Sequence, residues 1–336
     1  MFIKDKYTPV IFDEYQIYKS TITKLNNLKS DIPNLLFYGD GGNGKTTIIN
    51  SLINNIYNSK LSISKQIIKL KVNKMVKDIE INSSNVHFEI NLNKYCILNN
   101  KNYLLPLIKL LTQFNEVNMG CEYKIIVIKN IHYIKHSLIY LKNIIEKKYS
   151  NLRFILTTTC LNYNLNTVLS MFTLIKIIPT KHDIYNLCKF ILKNENTTYP
   201  EKKLLKLIDN ENTNILKTLI KLELCLINKV KYIDPVDKIV DSMHNYIINS
   251  KLDSIVKLRE LIYESISKNI CIELIMSKLY RKFSNDLKLD NNMKINITSL
   301  FAEYDVYIKN SFKNVIHLET LVVILLNLFI IYIYEN

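Results

Sequence analysis

Gly39-Asp-Gly-Gly-Asn-Gly-Lys45-Thr46 is the most informative part of the sequence, because it fits the phosphate-binding pattern G-x-x-x-x-G-K-[ST]. The chain has five glycines, and four of them fall within this stretch. Asn34–Tyr38 before it is typical of a buried strand, and Lys45–Tyr57 after it is typical of an amphipathic helix. A strand, a glycine-rich loop and a helix in this order predict a loop whose backbone N–H groups wrap a triphosphate.

The loop and the residue that follows it are predicted to bind ATP or ADP. Lys45 is expected to reach the β- and γ-phosphates, and the Thr46 hydroxyl is expected to hold Mg²⁺. The predicted nucleotide-binding residues are Gly39, Asp40, Gly41, Gly42, Asn43, Gly44, Lys45, Thr46 and Thr47.

Apolar runs alternate with helical patterns in the first half of the chain. They lie at Gln66–Val72, Val86–Ile90, Lys124–Ile128, Arg153–Thr158 and Thr173–Ile177. This alternation predicts a mostly parallel sheet with helices on both faces. After Pro179 the patterns are helical only, and Thr180 is expected to cap the first of these helices. The predicted domains are an α/β nucleotide-binding domain at 1–179, a helical lid at 180–232 and an all-α domain at 233–336.

The residues that hydrolysis requires are missing from their expected place. The strand Lys124–Ile128 continues into Lys129-Asn130-Ile131-His132, where a hydrolytic site needs carboxylates that hold Mg²⁺ and polarise water. His132 is a possible substitute base, but a solvated or hydrogen-bonded loop histidine is the simpler interpretation. The three arginines, Arg153, Arg259 and Arg281, lie where none is expected to neutralise the transition state. The sequence therefore predicts nucleotide binding with little or no hydrolysis.

Composition narrows the class of protein. Hydrophobic residues make up 48% of the chain, which excludes a disordered protein. The net charge of +15 favours a polyanionic partner, although abundant Lys, Asn and Ile are also typical of an AT-rich genome. Six cysteines without a C-x-x-C pair indicate a reduced intracellular protein without a metal cluster. The apolar run Leu321–Tyr334 is shorter than the roughly 20 residues that span a bilayer, so we expect a buried helix and no membrane contact.

The order of these elements resembles the clamp-loader branch of the AAA+ ATPases, the replication factor C small subunits. Lys6-Tyr7-Thr8-Pro9 is similar to the family's K-Y-R-P, and Asn34-Leu-Leu-Phe-Tyr-Gly39 is similar to its L-L-x-Y-G-P entry into the loop. Further similar motifs are Leu152-Arg153-Phe-Ile-Leu156, Arg259-Glu-Leu-Ile-Tyr-Glu264, Ile270-Cys-Ile-Glu-Leu-Ile-Met276 and Ile316-His-Leu-Glu319. The extra segment that includes Gln66–Asn85 and the last three motifs resemble the subunit at the end of the arc, which has a degenerate ATPase site.

This resemblance implies a RecA-like parallel sheet with a P-loop, a small helical lid and a helical collar. It places Thr159 at the family's first sensor position. The acidic box is replaced at Lys129, Asn130 and His132, the arginine that enters a neighbouring site is replaced by Met171, and the lid arginine is replaced by Leu216.

The same resemblance implies a hetero-oligomer of clamp-loader subunits that works with a sliding clamp and primer–template DNA. Asn100, Lys101 and Lys135 are the expected DNA contacts, although each lysine could simply be a solvated surface residue. The implied location is the nucleus or another site of DNA replication, including a viral one. Two alternatives stay open: an active helicase-like motor, for which Glu89 is the nearest acid, and a structural scaffold whose loop binds no nucleotide.

Overall fold

The computed structural model divides the chain into two compact units, Met1–Val230 and Lys231–Asn336, and each is described by itself. The predicted boundary at 179 between the nucleotide-binding domain and the lid lies inside the first unit and stays a prediction. The structure describes residues 2–28, 32–57, 62–72, 75–94, 101–113, 123–134, 138–146, 152–210, 213–228, 234–249, 254–286, 289–311 and 313–335.

The first unit is built on a seven-stranded sheet in the order β2-β3-β4-β5-β6-β1-β7. The strands are β1 (Leu35–Tyr38), β2 (Ser64–Val72), β3 (Met75–Ser83), β4 (His87–Asn91), β5 (Lys124–Lys129), β6 (Leu152–Thr158) and β7 (Thr173–Lys176). The five strands from β4 to β7 in this order pair in parallel, whereas β2, β3 and β4 pair antiparallel. The predicted, mostly parallel sheet is confirmed, and the parallel strands bring their carboxyl ends to one edge.

Strand β3 is the element that the sequence analysis missed. It forms a hairpin with β2, in which Ser64 is paired with Ser83 and Val72 with Met75. Charged residues interrupt its apolar pattern, yet Ile79 and Ile81 are buried on one face. Alternation of apolar and polar residues is typical of a half-buried strand. The charged residues between the isoleucines made this pattern hard to recognise from the sequence.

Helices cover both faces of the sheet. The helices of this unit are α1 (Ile3–Lys6), α2 (Lys19–Asn26), α3 (Lys45–Tyr57), α4 (Lys101–Gln113), α5 (Leu138–Glu146), α6 (Asn166–Leu169), α7 (Lys181–Asn194), α8 (Glu201–Asn210) and α9 (Ile215–Asn228). Leu35 and Phe37 of β1 are buried in the same core cluster as Ile49 of α3, whereas Leu36 belongs to the cluster that contains Leu107 of α4. Successive residues of a strand point to opposite faces, so one strand contributes to both cores.

The helices α7, α8 and α9 of the predicted lid share a small core around Ile184, Cys188 and Leu222, to which Ile3 and Ile17 of the N-terminal segment also contribute. The predicted cap of α7 is confirmed. The Thr180 side chain accepts a hydrogen bond from the backbone N–H of Asp183, and the Asp183 carboxylate accepts one in return from the backbone of Thr180. This reciprocal pair satisfies two N–H groups that the first turn of the helix would otherwise leave free.

The second unit is all-helical, as predicted. Its helices are α10 (Pro235–Ile248), α11 (Ser254–Ser267), α12 (Ile272–Asn285), α13 (Asn291–Asn310) and α14 (Asn314–Glu335). Leu279, Phe283, Phe301 and Leu325 lie in its core. This architecture, an α/β module with a lid and a separate helical unit, fits the AAA+ fold class that the sequence implied.

Helix α14 is longer than the apolar run suggested. The segment Asn314–Tyr332 has 19 residues and is long and apolar enough to cross a membrane by length and composition alone, and 33% of its most apolar stretch is buried. Leu318, Leu321 and Leu325 pack in the core of the second unit, whereas Ile331 is 52% exposed. One face of the helix therefore packs within the protein, and the expected absence of membrane contact stays a prediction.

Candidate functional site

The glycine-rich loop joins the end of β1 to the start of α3, and its glycines take backbone angles that other residues avoid. Gly39 has φ +146°, and a Cβ atom there would lie 2.2 Å from the carbonyl oxygen of Ile177. Gly42 has φ +86°, and a Cβ atom there would lie 2.8 Å from Oδ1 of Asn214. Only glycine meets both demands, the positive φ and the close approach of neighbouring atoms.

Lys45 lies at the first residue of α3, and its side chain folds back over the loop. Its Nζ donates hydrogen bonds to the carbonyl oxygens of Gly39 at 2.5 Å and of Asp40 at 2.9 Å. Burial lowers the pKa of Lys45, and the carboxylate of Asp40 partly opposes that effect. The N-terminus of α3 also favours negative charge. The Lys45 ammonium and the helix dipole therefore both make the glycine-rich loop attractive to an anion. Thr46 next to it is exposed.

A pocket of about 800 Å³, including space open to solvent, lies beside the loop. The N-terminal segment, the loop and the lid helices supply its walls, which are largely apolar. Its lining includes Tyr7, Pro9, Thr47, Leu187 and Leu216. Sites for small ligands are commonly concave and mostly apolar with a few polar groups, and this pocket continues directly into the loop.

The lid is bound to the loop by three hydrogen bonds, which we call the loop–lid contact. Asn214 Nδ2 donates to Gly41 O at 2.6 Å, the Leu216 N–H donates to Gly42 O at 3.2 Å, and the Ile215 N–H donates to Asn43 Oδ1 at 3.4 Å. Asn214 Oδ1 also accepts from the Lys217 N–H, so one side chain caps α9 and holds the loop. From the sequence, Leu216 was notable only because it replaces an expected arginine. In the structure the backbone of Leu216 contacts the loop.

The N-terminal segment also lines the pocket, and hydrogen bonds join it to the lid. Glu195 accepts hydrogen bonds from Lys6 Nζ at 2.6 Å and from Tyr7 Oη at 2.7 Å. The Ile3 N–H donates to Glu223 Oε1 at 3.2 Å. The sequence analysis missed both glutamates, because each lies about 190 to 220 residues away from its partner.

Lys129 forms an ion pair at the carboxyl end of β5. Its Nζ lies 2.8 Å from Oε2 of Glu89 on the neighbouring β4, and Asn82 Nδ2 donates to the same oxygen at 3.0 Å. Glu89 is only 4% exposed. Burial by itself would raise the pKa of Glu89, but His87, the Lys129 ammonium and the Asn82 amide together lower it to about 2. His87 Nε2 is 3.9 Å from Oε1, beyond hydrogen-bond distance, so we assign most of the stabilisation to Lys129 and Asn82.

Asn130 and His132 follow in the loop after β5, and both have structural partners. The Asn130 N–H donates to Thr157 Oγ1 at 3.1 Å, and its Nδ2 donates to Asn91 Oδ1 at 3.1 Å. Thr159 Oγ1 lies 3.4 Å from His132 Nδ1, so the structure brings the predicted sensor residue and the histidine together. Burial and the positive charge of Lys45 lower the pKa of His132, which keeps the imidazole neutral near pH 7.

The described residues of this site do not fit a Mg²⁺ ion held by the protein. Mg²⁺ in nucleotide sites is held by a loop hydroxyl and one or two carboxylates besides the phosphates. Thr46 offers a hydroxyl, but Lys129 and Asn130 stand where β5 should present carboxylates, and Glu89 is already paired with Lys129. Asp40 is an exposed residue on the loop itself.

The remaining predicted residues lie away from the pocket or cannot be placed. Met171 is half-buried and packs against the core that contains Phe172. Lys101 is the first residue of α4. Asn100 and Lys135, the other expected DNA contacts, lie outside the described residues.

Comparison with known proteins places these observations in a family context. Residues 236–331 match the family model for the C-terminal domain of replication factor C subunit 3. Replication factor C subunit 3 of Arabidopsis thaliana is 23% identical over 95% of this chain and 94% of its own length. The human subunit 3 is 23% identical over 95% of this chain and 93% of its own. A solved structure of DnaA from Aquifex aeolicus with bound AMPPCP is 12% identical and covers 100% of this chain and 94% of that one, with a TM-score of 0.48.

Proposed function

We infer from these matches that the chain is a replication factor C small subunit, and we propose that it binds ATP or ADP within a clamp loader without hydrolysing it. The intact loop and the adjoining pocket support binding. The proposed absence of hydrolysis rests on the ion pair of Lys129 with Glu89. This pair occupies the end of β5, where a hydrolytic site needs free carboxylates.

Arginine chemistry supports the same conclusion. Phosphoryl transfer needs a cation that neutralises charge in the transition state. Arg153 is the sole arginine in the sequence of the first unit, and its Nε donates to Ile32 O at 2.7 Å while its guanidinium lies over the ring of Tyr123. Arg153 therefore holds β6 to the segment that precedes β1, and it does not face the loop.

Within the assembly, we propose that this chain is the subunit at the end of the arc, with a degenerate site. The other clamp-loader subunits, a sliding clamp and primer–template DNA would be its partners, and a nuclear or viral replication site its location. Contacts to DNA through Lys101, Asn100 and Lys135 would be electrostatic, so they should weaken with salt and should not read sequence.

Binding and hydrolysis are tested on the purified chain with a fluorescent ADP analogue and with labelled ATP. We expect the wild type to bind and to hydrolyse no ATP above background. Lys45→Ala should weaken binding about 10- to 150-fold, since a charge-assisted contact contributes about 1.5–3 kcal/mol. Lys24→Ala, an exposed lysine on α2, is the matched control and should change nothing.

Each alternative predicts a different result in this experiment. A motor would hydrolyse ATP, and Glu89→Gln would abolish that hydrolysis. A scaffold would bind no nucleotide in either assay. Co-expression with candidate partner subunits and native mass spectrometry would then test the assembly, and a chain that stays monomeric with every partner would contradict the clamp-loader role.

A further inference from the structure

We propose that this chain binds the polyphosphate of its nucleotide without Mg²⁺, so that the metal-free nucleotide is its ligand. The inference rests on the proposed nucleotide binding and goes beyond it, because it names the ionic form that the site accepts. It follows from the side chains at the carboxyl edge of the sheet.

The first step concerns the oxygen ligands that the site offers. Mg²⁺ demands near-octahedral oxygen coordination and loses its water reluctantly, so proteins hold it through carboxylates together with phosphate oxygens. Here the end of β5 presents the ammonium of Lys129 and the amide of Asn130, and the Asn130 amide already donates to Asn91. Neither an ammonium nor a donating amide nitrogen can coordinate a cation, and Oδ1 of Asn130 is a neutral oxygen without the charge of a carboxylate.

The second step concerns Glu89, the acid on the adjacent strand. The parallel register places Glu89 beside Val127 and Asn91 beside Lys129, which brings the Lys129 ammonium back over β4. Both partners are largely withdrawn from solvent, with side chains 15% and 3% exposed. Recruiting Glu89 to a metal would break a buried ion pair and leave the Lys129 ammonium without its partner.

The third step concerns charge. Lys45 and the N-terminus of α3 supply positive charge at the loop, and its glycines leave room for phosphate oxygens. Metal-free ATP carries two more negative charges than its Mg²⁺ complex, so these groups attract the free form more strongly. The end of β5 offers no carboxylate that would favour the complex in return.

Asp40 is the one carboxylate on the loop, and it is the rival explanation that an experiment must address. It is exposed, and its charge acts on Lys45. If Asp40 held a metal, binding would depend on Mg²⁺ and Asp40→Asn would abolish that dependence.

The experiment measures the affinity of the full chain for a fluorescent ATP analogue in excess EDTA and in excess MgCl₂. We expect a Kd in EDTA that is lower than, or within about threefold of, the Kd in MgCl₂. Tighter binding in MgCl₂ by more than about threefold would overturn the proposal. Binding in neither buffer would instead refute nucleotide binding itself, so the two failures are distinguishable.

Two variants extend the test to the residue that we hold responsible. Lys129→Asp presents a carboxylate at the end of β5 and should make binding tighter in MgCl₂ than in EDTA, whereas Lys24→Asp should leave the wild-type ratio unchanged. Far-UV circular dichroism checks folding. If Lys129→Asp does not fold, Asn130→Asp introduces the carboxylate one residue later, and the wild-type comparison decides the proposal in either case.

Discussion

Substitution of Lys129 by Met tests the ion pair on which the reasoning depends. The change keeps the length of the side chain and removes the ammonium that lies 2.8 Å from Glu89. The pKa of Glu89 falls from an ordinary 4.5 to about 2 in the folded chain. That difference corresponds to about 3 kcal/mol of interaction favouring the ionised carboxylate. Asn82 still donates to Glu89 in the variant, but the share of the ammonium is lost while the cost of burying the carboxylate remains.

We therefore expect Lys129→Met to destabilise the first unit by about 3 kcal/mol at neutral pH, in the range measured for buried pairs that lose one partner. For a unit of this size the melting temperature should fall by about 6–12 °C in a far-UV circular dichroism melt. The double variant Glu89→Gln with Lys129→Met leaves no unpaired charge and should be more stable than Lys129→Met alone. A loss below about 1 kcal/mol, or additive losses in the double variant, would show that Lys129 and Glu89 do not stabilise each other.

The stability of the first unit should also depend on pH through Glu89. A carboxyl whose pKa is lowered by folding stabilises the protein fully above its unfolded pKa, here 4.5, and loses that contribution as the pH falls toward about 2. The groups that face Glu89 are Lys129, Asn82 and His87. The stability difference between wild type and Lys129→Met should thus be constant from pH 7 down to about 5 and should shrink below that.

Three further substitutions test the loop, the loop–lid contact and the attachment of the N-terminal segment. Gly42→Ala places a Cβ 2.8 Å from Asn214 at a positive φ, so it should cost about 1–2 kcal/mol or more in thermal unfolding. Asn214→Ala removes the cap of α9 and one bond of the loop–lid contact, and should cost about 1 kcal/mol in the same assay. Glu195→Ala releases Lys6 and Tyr7, so a fluorescent nucleotide should dissociate faster in stopped flow, and an unchanged rate would contradict this role.

Much of the fold could be predicted because most helices and strands show a recognisable apolar pattern within their own residues. The helix Lys45–Tyr57 was predicted with its observed bounds. Its apolar residues are buried, as the helical spacing of these residues predicted. Strand β3 was missed because its apolar residues alternate with charges, and its pairing with β2 is what distinguishes a strand from a charged loop.

The site was less predictable because it depends on residues far apart in the chain. Lys129 and Glu89 are forty residues apart and meet only through the register of β4 and β5. The sequence analysis considered Glu89 only as an alternative acid for a motor, and it noted Lys129 only for the carboxylate that it replaces. The structure joins the two, since a buried carboxylate and a neighbouring ammonium stabilise each other at close range.

The chemistry of the loop–lid contact bears on what the nucleotide does for the chain. Its donors are two backbone N–H groups and an asparagine amide, and its acceptors all belong to the loop, at Gly41, Gly42 and Asn43. A lid arginine would have bound the γ-phosphate and so made lid closure depend on ATP. Because Leu216 uses only its backbone, the loop–lid contact, as far as the structure describes it, involves no group that distinguishes ATP from ADP. A ligand that binds only the folded state stabilises it by mass action, whichever nucleotide it is. The nucleotide that we propose for this site would therefore be a component of the fold, which is consistent with the proposed binding without cleavage.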